Sequence, residues 1–269
     1  MEISKLMKKR IADNLKEGKR FDGRKLDEFR DIKIETGISV NAEGSARVTI
    51  GDTVVVAGVK MATSEPYTDH EDEGTLVTTA ELLPISSPRY EPGPPKIEAV
   101  ELARIIDRGI RESKFIDFKK LCIKKDEKVW SIFLDLYSIN DAGSLIDACS
   151  LAAVAALMSA KLPVYDAETD TIKYGEYTKD PVPLTEKVCL NFTAYKVGKS
   201  LIFDPTREEE DSSEARLSVA MTRSKGKIYV NSLQRGEDEP LTPEEVLKIL
   251  EMAEKKYEEV EEVVKKQIK

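Results

Sequence analysis

Residues 135–162 read DLYSINDAGSLIDACSLAAVAALMSAKL, a strand, a turn and a buried helix, and the fold is built around them. Ile132, Leu134, Leu136 and Ile139 alternate with polar partners as a half-buried strand does, and Asn140-Asp141-Ala142-Gly143 supplies the turn chemistry that stops it. From Leu145 to Leu162 every helical face carries Ala, Leu, Val, Met or Cys, so this helix must be enclosed by other elements. Asp147, Ser150, Ser159 and Lys161 interrupt the run and argue against a membrane span.

A helix that starts just after a glycine turn offers free N–H groups and a positive dipole end, both suited to phosphate. Here Ser144 and Asp147 have the S-x-x-D spacing of a capping box, so side-chain oxygens are expected to consume those donors. Asp141 and Asp147 would also repel an anion.

At 269 residues the chain can bury a large core, and a single unit over 1–269 with a repeated lobe is expected. Charged residues make up 34% and the net charge is -8, which excludes a uniformly basic nucleic-acid coat. Contact with a nucleic acid must come from a local basic patch. Cys122, Cys149 and Cys189 sit in apolar patterns without C-x-x-C spacing, as buried thiols in a reducing compartment do. The opening MEISKLMKKR lacks the apolar run and cleavage site of a secretory signal, so a cytoplasmic protein is expected.

Ile3, Leu6, Met7, Ile11 and Leu15 predict an amphipathic helix over about 3–16. Lys19 to Arg24, with Asp22-Gly23, reads as a surface turn. Ile32, Ile34, Ile38 and Val40, then Val48 and Ile50, then Val54 to Val59, read as a β-meander with at least one strand buried on both faces. His70 lies among carboxylates between Met61 and Glu73; a metal ligand or, more simply, a solvated loop fits it. Thr75 to Ile85 is a strand, and Pro84 to Pro95, with five prolines and one glycine, must be irregular; it holds Arg89 and Tyr90.

Lys96 opens a helix to about Ser113 in which Arg104, Arg108 and Arg111 form a row at four- and three-residue steps. Pairs with Asp107 and Glu112 would make it an ordinary salt-bridged face; otherwise it is a grip for phosphates. A hairpin spans Leu121–Lys124 and Val129–Ile139, an excursion with Tyr165, Tyr174 and Tyr177 comes after Pro163, and further strands include Val188, Leu190 and Phe192. Ser224-Lys225-Gly226-Lys227 marks another hairpin. Thr242-Pro243-Glu244-Glu245 is a capping box with proline at N1 and starts a final helix over about 243–268. Strand clusters followed by helices, twice over, predict an α+β protein with helices packed on mixed sheets.

Arg20-Phe21-Asp22-Gly23-Arg24, the Val54-to-Val59 strand, Glu101-Leu102-Ala103-Arg104, the Asn140-to-Gly143 turn into an Ala-rich helix, and Phe203-Asp204-Pro205-Thr206 with its acids together resemble the ribonuclease PH family. More closely, the chain looks like the catalytically silent one of the two ribonuclease PH-like subunits of the archaeal exosome. That resemblance implies two βαβα-type lobes and a ring of six, a trimer of heterodimers with a catalytic ribonuclease PH-like partner. RNA-binding cap subunits would sit on one face, and single-stranded RNA would be degraded from its 3′ end with phosphate as nucleophile; no cofactor, metal or membrane is implied for this chain.

Active members of the family carry Gly-Thr-Arg or Gly-Ser-Arg where Gly143, Ser144 and Leu145 stand, and leucine cannot make the arginine's bidentate grip on phosphate. Of the family's two aspartates six apart, Asp204 matches the first and Glu210 falls on the second, with Asp211 adjacent. Asp204 could still bind a cation or protonate a leaving group, but Glu208 to Asp211 reads as a solvated loop. The resemblance also implies that Arg104 and Arg108, and less directly Arg111 and Lys96, contact the RNA backbone. The rival reading is a self-sufficient phosphorolytic exoribonuclease using Asp204 and Glu210.

Overall fold

The computed structural model describes residues 3–268, so Met1, Glu2 and Lys269 of the expected 1–269 unit lie outside it. In chain order the elements are α1 (Lys5–Lys16), β1 (Ile32–Thr36), β2 (Gly44–Ile50), β3 (Thr53–Ser64), β4 (Thr75–Leu82) and α2 (Ile97–Ser113). Then come β5 (Cys122–Lys124), β6 (Lys128–Asn140), α3 (Leu145–Ser159), β7 (Lys161–Asp166) and β8 (Thr171–Pro181). The chain ends with β9 (Leu190–Val197), β10 (Ser200–Phe203), α4 (Arg207–Glu210), β11 (Ala215–Ser224), β12 (Lys227–Gly236) and α5 (Pro243–Gln267).

One sheet runs β1-β2-β3-β6-β4 with β5 added to β6, a second runs β10-β9-β11-β12, and β7 pairs with β8. β4 lies parallel to β6, and parallel neighbours need a crossover; α2 is that crossover. α3 packs on β2 and β3 of the first sheet and on β9 of the second, which is why it has no polar side. Gly44 of β2 comes so close that an added Cβ would stand 2.3 Å from the Ala156 carbonyl oxygen. Leu151 and Leu157 are fully enclosed, and each such side chain contributes about 1.5–3 kcal/mol. No helix among the described residues is long and apolar enough to cross a membrane.

The terminal helices lie where the sequence places them, although of the apolar stripe expected in α1 only Ile11 and Leu15 are buried and Leu6 is 78% exposed. Ser4 caps α1 by accepting from the Met7 N–H at 3.2 Å, and Ile11 and Leu15 bury one stripe against Tyr195, Val197 and Ile202. Thr242 and Glu245 form the reciprocal capping box of α5, with proline in its first turn.

Several expectations need correction. The central helix stops at Ser159 instead of Leu162, because Ala160 is already extended (φ -77°, ψ 140°) and the residue before Pro163 is sterically biased out of helix. The excursion around Pro163 is a β-hairpin, β7 with β8. Ile38 and Val40 are not strand residues: Gly37 turns at φ +70°, and Val40 is 91% exposed. In β3 only Val55, Ala57, Val59 and Met61 are buried among its apolar residues; the strands enclosed on both faces are β9, β10 and most of β11, in the second sheet. Ile139 is half-buried on the outer face of β6, where Ser138 takes the inner place, and Cys122 is half-buried while Cys149 and Cys189 are buried.

Candidate functional site

The turn into α3 is tight. Gly143 sits at φ +93°, and a Cβ there would lie 2.5 Å from the Pro205 carbonyl oxygen, so the segment after β10 closes directly over it. An N-cap side chain normally reaches the first N–H groups from an extended backbone. Ser144 is instead left-handed (φ 59°), and its buried hydroxyl has no partner among the described residues. The expected Ser144–Asp147 capping box is therefore not formed.

Asp147 has turned to β9, where its Oδ2 accepts from the Thr193 N–H at 3.1 Å while Oδ1 stays unpartnered. The first N–H of the helix entrance is satisfied from elsewhere: Ser144 N–H donates to Glu210 Oε2 at 2.9 Å. Leu145 is 5% exposed and lines the core.

Burial pushes the Asp147 carboxyl up to about 7, against the pull of the Thr193 hydrogen bond and with Asp204 and Glu210 adding repulsion. The native state thus holds this proton more tightly than the unfolded chain, so the associated stability is complete below about pH 4 and is lost as pH rises through 7. Asp147→Asn, which keeps the acceptor for Thr193, is expected to gain about 2–3 kcal/mol on the parent between pH 5 and pH 8. Urea unfolding at the two pH values checks it, and a gain independent of pH would show that Asp147 is not the titrating group.

Asp204 is fully buried at φ 44°, and its carboxylate is saturated. Arg24 Nη1 donates at 2.7 Å, Arg30 Nη2 at 2.6 Å and the Arg30 backbone N–H at 2.7 Å. The expectation that it could bind a cation or protonate a leaving group is corrected: two guanidiniums already occupy both oxygens. Among the described residues no group of three or more His, Cys, Asp or Glu side chains is placed to hold a metal. His70 is exposed in its loop, 3.1 Å from Glu73.

Glu208 to Asp211 is not a solvated loop either. It is α4 and its end, capped by Thr206 and Glu209 in a reciprocal box. Glu209 is 2% exposed and pairs with Arg20 at 2.5 Å, while Asp211 pairs with Arg207 at 2.7 Å and with Arg89. Arg207 also reaches Asp141 at 3.0 Å, and Tyr90 donates to the same carboxylate at 2.8 Å. The Lys19-to-Arg24 surface turn is half corrected: Arg20 is 5% exposed and Arg24 grips Asp204, although Phe21 and Asp22 face solvent. Burial raises the Glu210 carboxyl, while Arg207 and the Ser144 N–H pull it down.

The second candidate is the arginine row on α2. Arg104 and Arg108 are exposed and have no ion-pair or hydrogen-bond partner among the described residues. Arg111 is committed, to Asp107 at 2.7 Å, to the Leu76 carbonyl and to the Phe118 ring, and Lys96 pairs with Glu91 at 2.7 Å. The expected Arg108–Glu112 pair does not form. Beside the row a groove of about 520 Å³ runs between α2 and β4, bordered by Thr78, Thr79, Ala103, Arg104, Asp107 and Arg108. Two of the four cations named from the sequence are thus free to meet an anionic ligand, and two are held locally.

Sequence patterns do not single out Arg30, Arg207 or Glu209 as site residues, and they leave Arg89 in an irregular loop without a role. Thr206 and Glu209 stand at capping-box spacing, the one legible signal for α4. Arg30 has none, since it meets Asp204 only through the fold.

Residues 28–163 match domain 1 of the 3′ exoribonuclease family and residues 191–256 match domain 2. An exosome complex component Rrp42 from Methanothermobacter thermautotrophicus is 42% identical over 98% of this chain and 96% of its own. Among solved structures, a chain of the Archaeoglobus fulgidus exosome with RNA bound to the active site superposes with TM-score 0.82 at 38% identity, covering 92% of this chain and 93% of that one. A chain of an archaeal exosome core superposes with TM-score 0.83 at 34% identity over 97% and 96%.

Proposed function

This chain belongs to the 3′ exoribonuclease family, and from that membership we propose that it is a non-catalytic ring subunit of an archaeal exosome. In this reading the whole chain, 1–269, acts as one ribonuclease PH-like unit in the cytoplasm. It alternates with a catalytic ribonuclease PH-like subunit in a trimer of heterodimers, with RNA-binding caps on one face. Its own contribution is structural support and a grip on the RNA backbone.

The observation that carries the non-catalytic part is at the start of α3. Where an attacking phosphate would need a cation, Leu145 is buried, and the leading N–H is already held by Glu210. Asp204 is locked by Arg24 and Arg30 and has nothing left to offer a leaving group. Neither member of the acid pair is free, so the rival of a self-sufficient exonuclease lacks its machinery.

The RNA grip falls to Arg104 and Arg108, with Arg111 and Lys96 needing to release their carboxylates before they could join. Guanidinium forks hold phosphates without reading bases, which suits a subunit of a sequence-tolerant nuclease. The exposed Arg104 and Arg108 beside the α2–β4 groove support this assignment.

Incubating the purified chain alone with end-labelled RNA, orthophosphate and magnesium is expected to release no nucleoside diphosphates. Adding the catalytic subunit is expected to restore processive release. Phosphate-dependent release by the chain alone would overturn the reading.

A further inference from the structure

α1 carries Lys5, Lys8, Lys9, Arg10 and Lys16 against a single acid, Asp13, in a chain whose net charge is -8. All five cations are exposed, and none has an ion pair or a side-chain hydrogen bond among the described residues. The last helix follows the dipole: α5 opens on Glu244 and Glu245 and closes on Lys265 and Lys266, which pair with Glu261 and Glu262. α1 does the reverse, with no acid in its first turn and with Lys5, Lys8 and Lys9 gathered at its positive end. Lys5 and Lys9 are also like charges one turn apart, which adds to the cost. A helix that breaks these local rules without internal compensation points to a ligand outside the fold.

The apolar side of α1 is closed to a lipid surface, because Ile11 and Leu15 are spent against Tyr195, Val197 and Ile202. Lys5, Lys9 and Lys16, at helical spacing, share one line away from that side and span about 16 Å of helix axis. Arg10 stands beside them, and its guanidinium lies over the Phe21 ring, 5.4 Å from the centroid. Phe21 itself is 53% exposed, so the ring does not serve the core. Cations in line beside a solvent-facing aromatic suit an unpaired polynucleotide strand: the cations hold phosphates and the ring takes the face of a base. Four of the five cations are lysines, a residue that protein–protein interfaces deplete.

We propose that the exposed line of α1 and Phe21 form a second seat for single-stranded RNA, separate from the arginine row on α2. α1 packs on β9, β10 and α4, whereas the groove beside the arginine row lies between α2 and β4. The inference rests on the exosome reading only for the identity of the polyanion. Lys5, Lys9 and Lys16 hold phosphates, and a base stacks beside the Phe21–Arg10 pair without sequence preference. A strand long enough to meet both seats is held at two places, which raises its affinity over that of a short one.

The test uses the purified full chain and fluorescence anisotropy with homopolymer RNA of roughly 6 and roughly 30 nucleotides. Lys5→Glu with Lys9→Glu is expected to weaken the long RNA about tenfold near 50 mM salt, and to flatten its salt slope by about 1.4 for two lost phosphate contacts. The short RNA is expected to lose no more than about twofold, since the α2 row can still take it. Phe21→Leu is expected to weaken the long RNA about fivefold with the slope unchanged, because no charge is lost. The lysine exchange puts acids where the dipole favours them, so that variant is expected to melt no earlier than the parent. Lys248→Glu with Lys255→Glu on α5 supplies the same charge change elsewhere. An unchanged slope, or equal weakening by the α5 pair, would overturn the proposal, and so would an earlier melt, which would give the lysines to the fold. Intact RNA binding with lost assembly on mixing with the catalytic subunit would assign the helix to an acidic protein surface instead. None of these results touches the non-catalytic reading, which fails only if the parent chain alone releases nucleoside diphosphates.

Discussion

Replacing Arg20 by Met is expected to cost about 3–5 kcal/mol of stability, the range for removing one partner of a buried ion pair. The Arg20 side chain is fully enclosed and makes four bonds that matter. Nε and Nη2 donate to Glu209 at 3.0 and 2.5 Å, Nη1 to the Phe203 carbonyl at 3.1 Å and Nη2 to the Asp204 carbonyl at 2.7 Å. Methionine fills much of the volume but leaves Glu209 as a buried charge whose remaining donor is the Thr206 N–H. The Phe203 carbonyl loses its Arg20 donor, and the Asp204 carbonyl keeps only Arg24 Nη2 at 3.1 Å. Arg20→Met with Glu209→Gln removes the stranded charge while keeping an acceptor for the cap, and is expected to recover about half of the loss. Urea midpoints of the four proteins in the cycle measure this. A single mutant within about 1 kcal/mol of the parent would mean that the pair does not hold α4.

The knot around Arg20 also shows where sequence reasoning stops. Periodicity locates α1, α2, α3 and α5, because each has one stripe or, for α3, no polar side, and the hydrophobic effect acts on that pattern directly. Capping signals work where the backbone enters the helix extended, at Thr242. At Ser144 the same spacing misleads, because the left-handed φ of 59° is imposed by the turn beneath the Pro205 carbonyl, a contact between segments distant in sequence. The acids after Asp204 look solvated because Arg20 and Arg89, which hold Glu209 and Asp211, are far away in the chain. Charge pairing of this kind has no period, so composition can count the charges but not match them. The family resemblance points to the right segments, and the geometry then changes what each residue does there.

The missing phosphate grip at Leu145 and the sequestered Asp204 have a common structural logic. A cation beside Gly143 would have to displace either Glu210 or the Arg30 guanidinium, which bonds the Ala142 and Gly143 carbonyls at 3.0 Å each. Arg30 thus ties the turn, Asp204 and the segment before β1 together. The corner where the turn into α3 meets Asp204 is closed by internal ion pairs, and the exposed Arg104 and Arg108 lie on a different element, α2.

For that element, Arg104→Glu combined with Arg108→Glu is expected to weaken binding of single-stranded RNA by the assembled ring about 100-fold near 50 mM salt. Both side chains are exposed and unpaired among the described residues, so the exchange breaks no ion pair or hydrogen bond there and assembly is expected to survive. Each lost phosphate contact on a single strand should flatten the slope of log affinity against log salt by about 0.7, giving a change of about 1.4 for two. The slope separates a lost contact from a merely altered net charge. Lys248→Glu with Lys255→Glu on the exposed face of α5 introduces the same charge change away from the groove, and is expected to leave the slope intact. Fluorescence anisotropy at two salt concentrations with a homopolymer and a mixed-sequence RNA reads all of this. Equal weakening by both pairs of substitutions would mean that the row on α2 acts only through the overall field, and a loss confined to one RNA sequence would mean that it reads bases instead of holding the backbone.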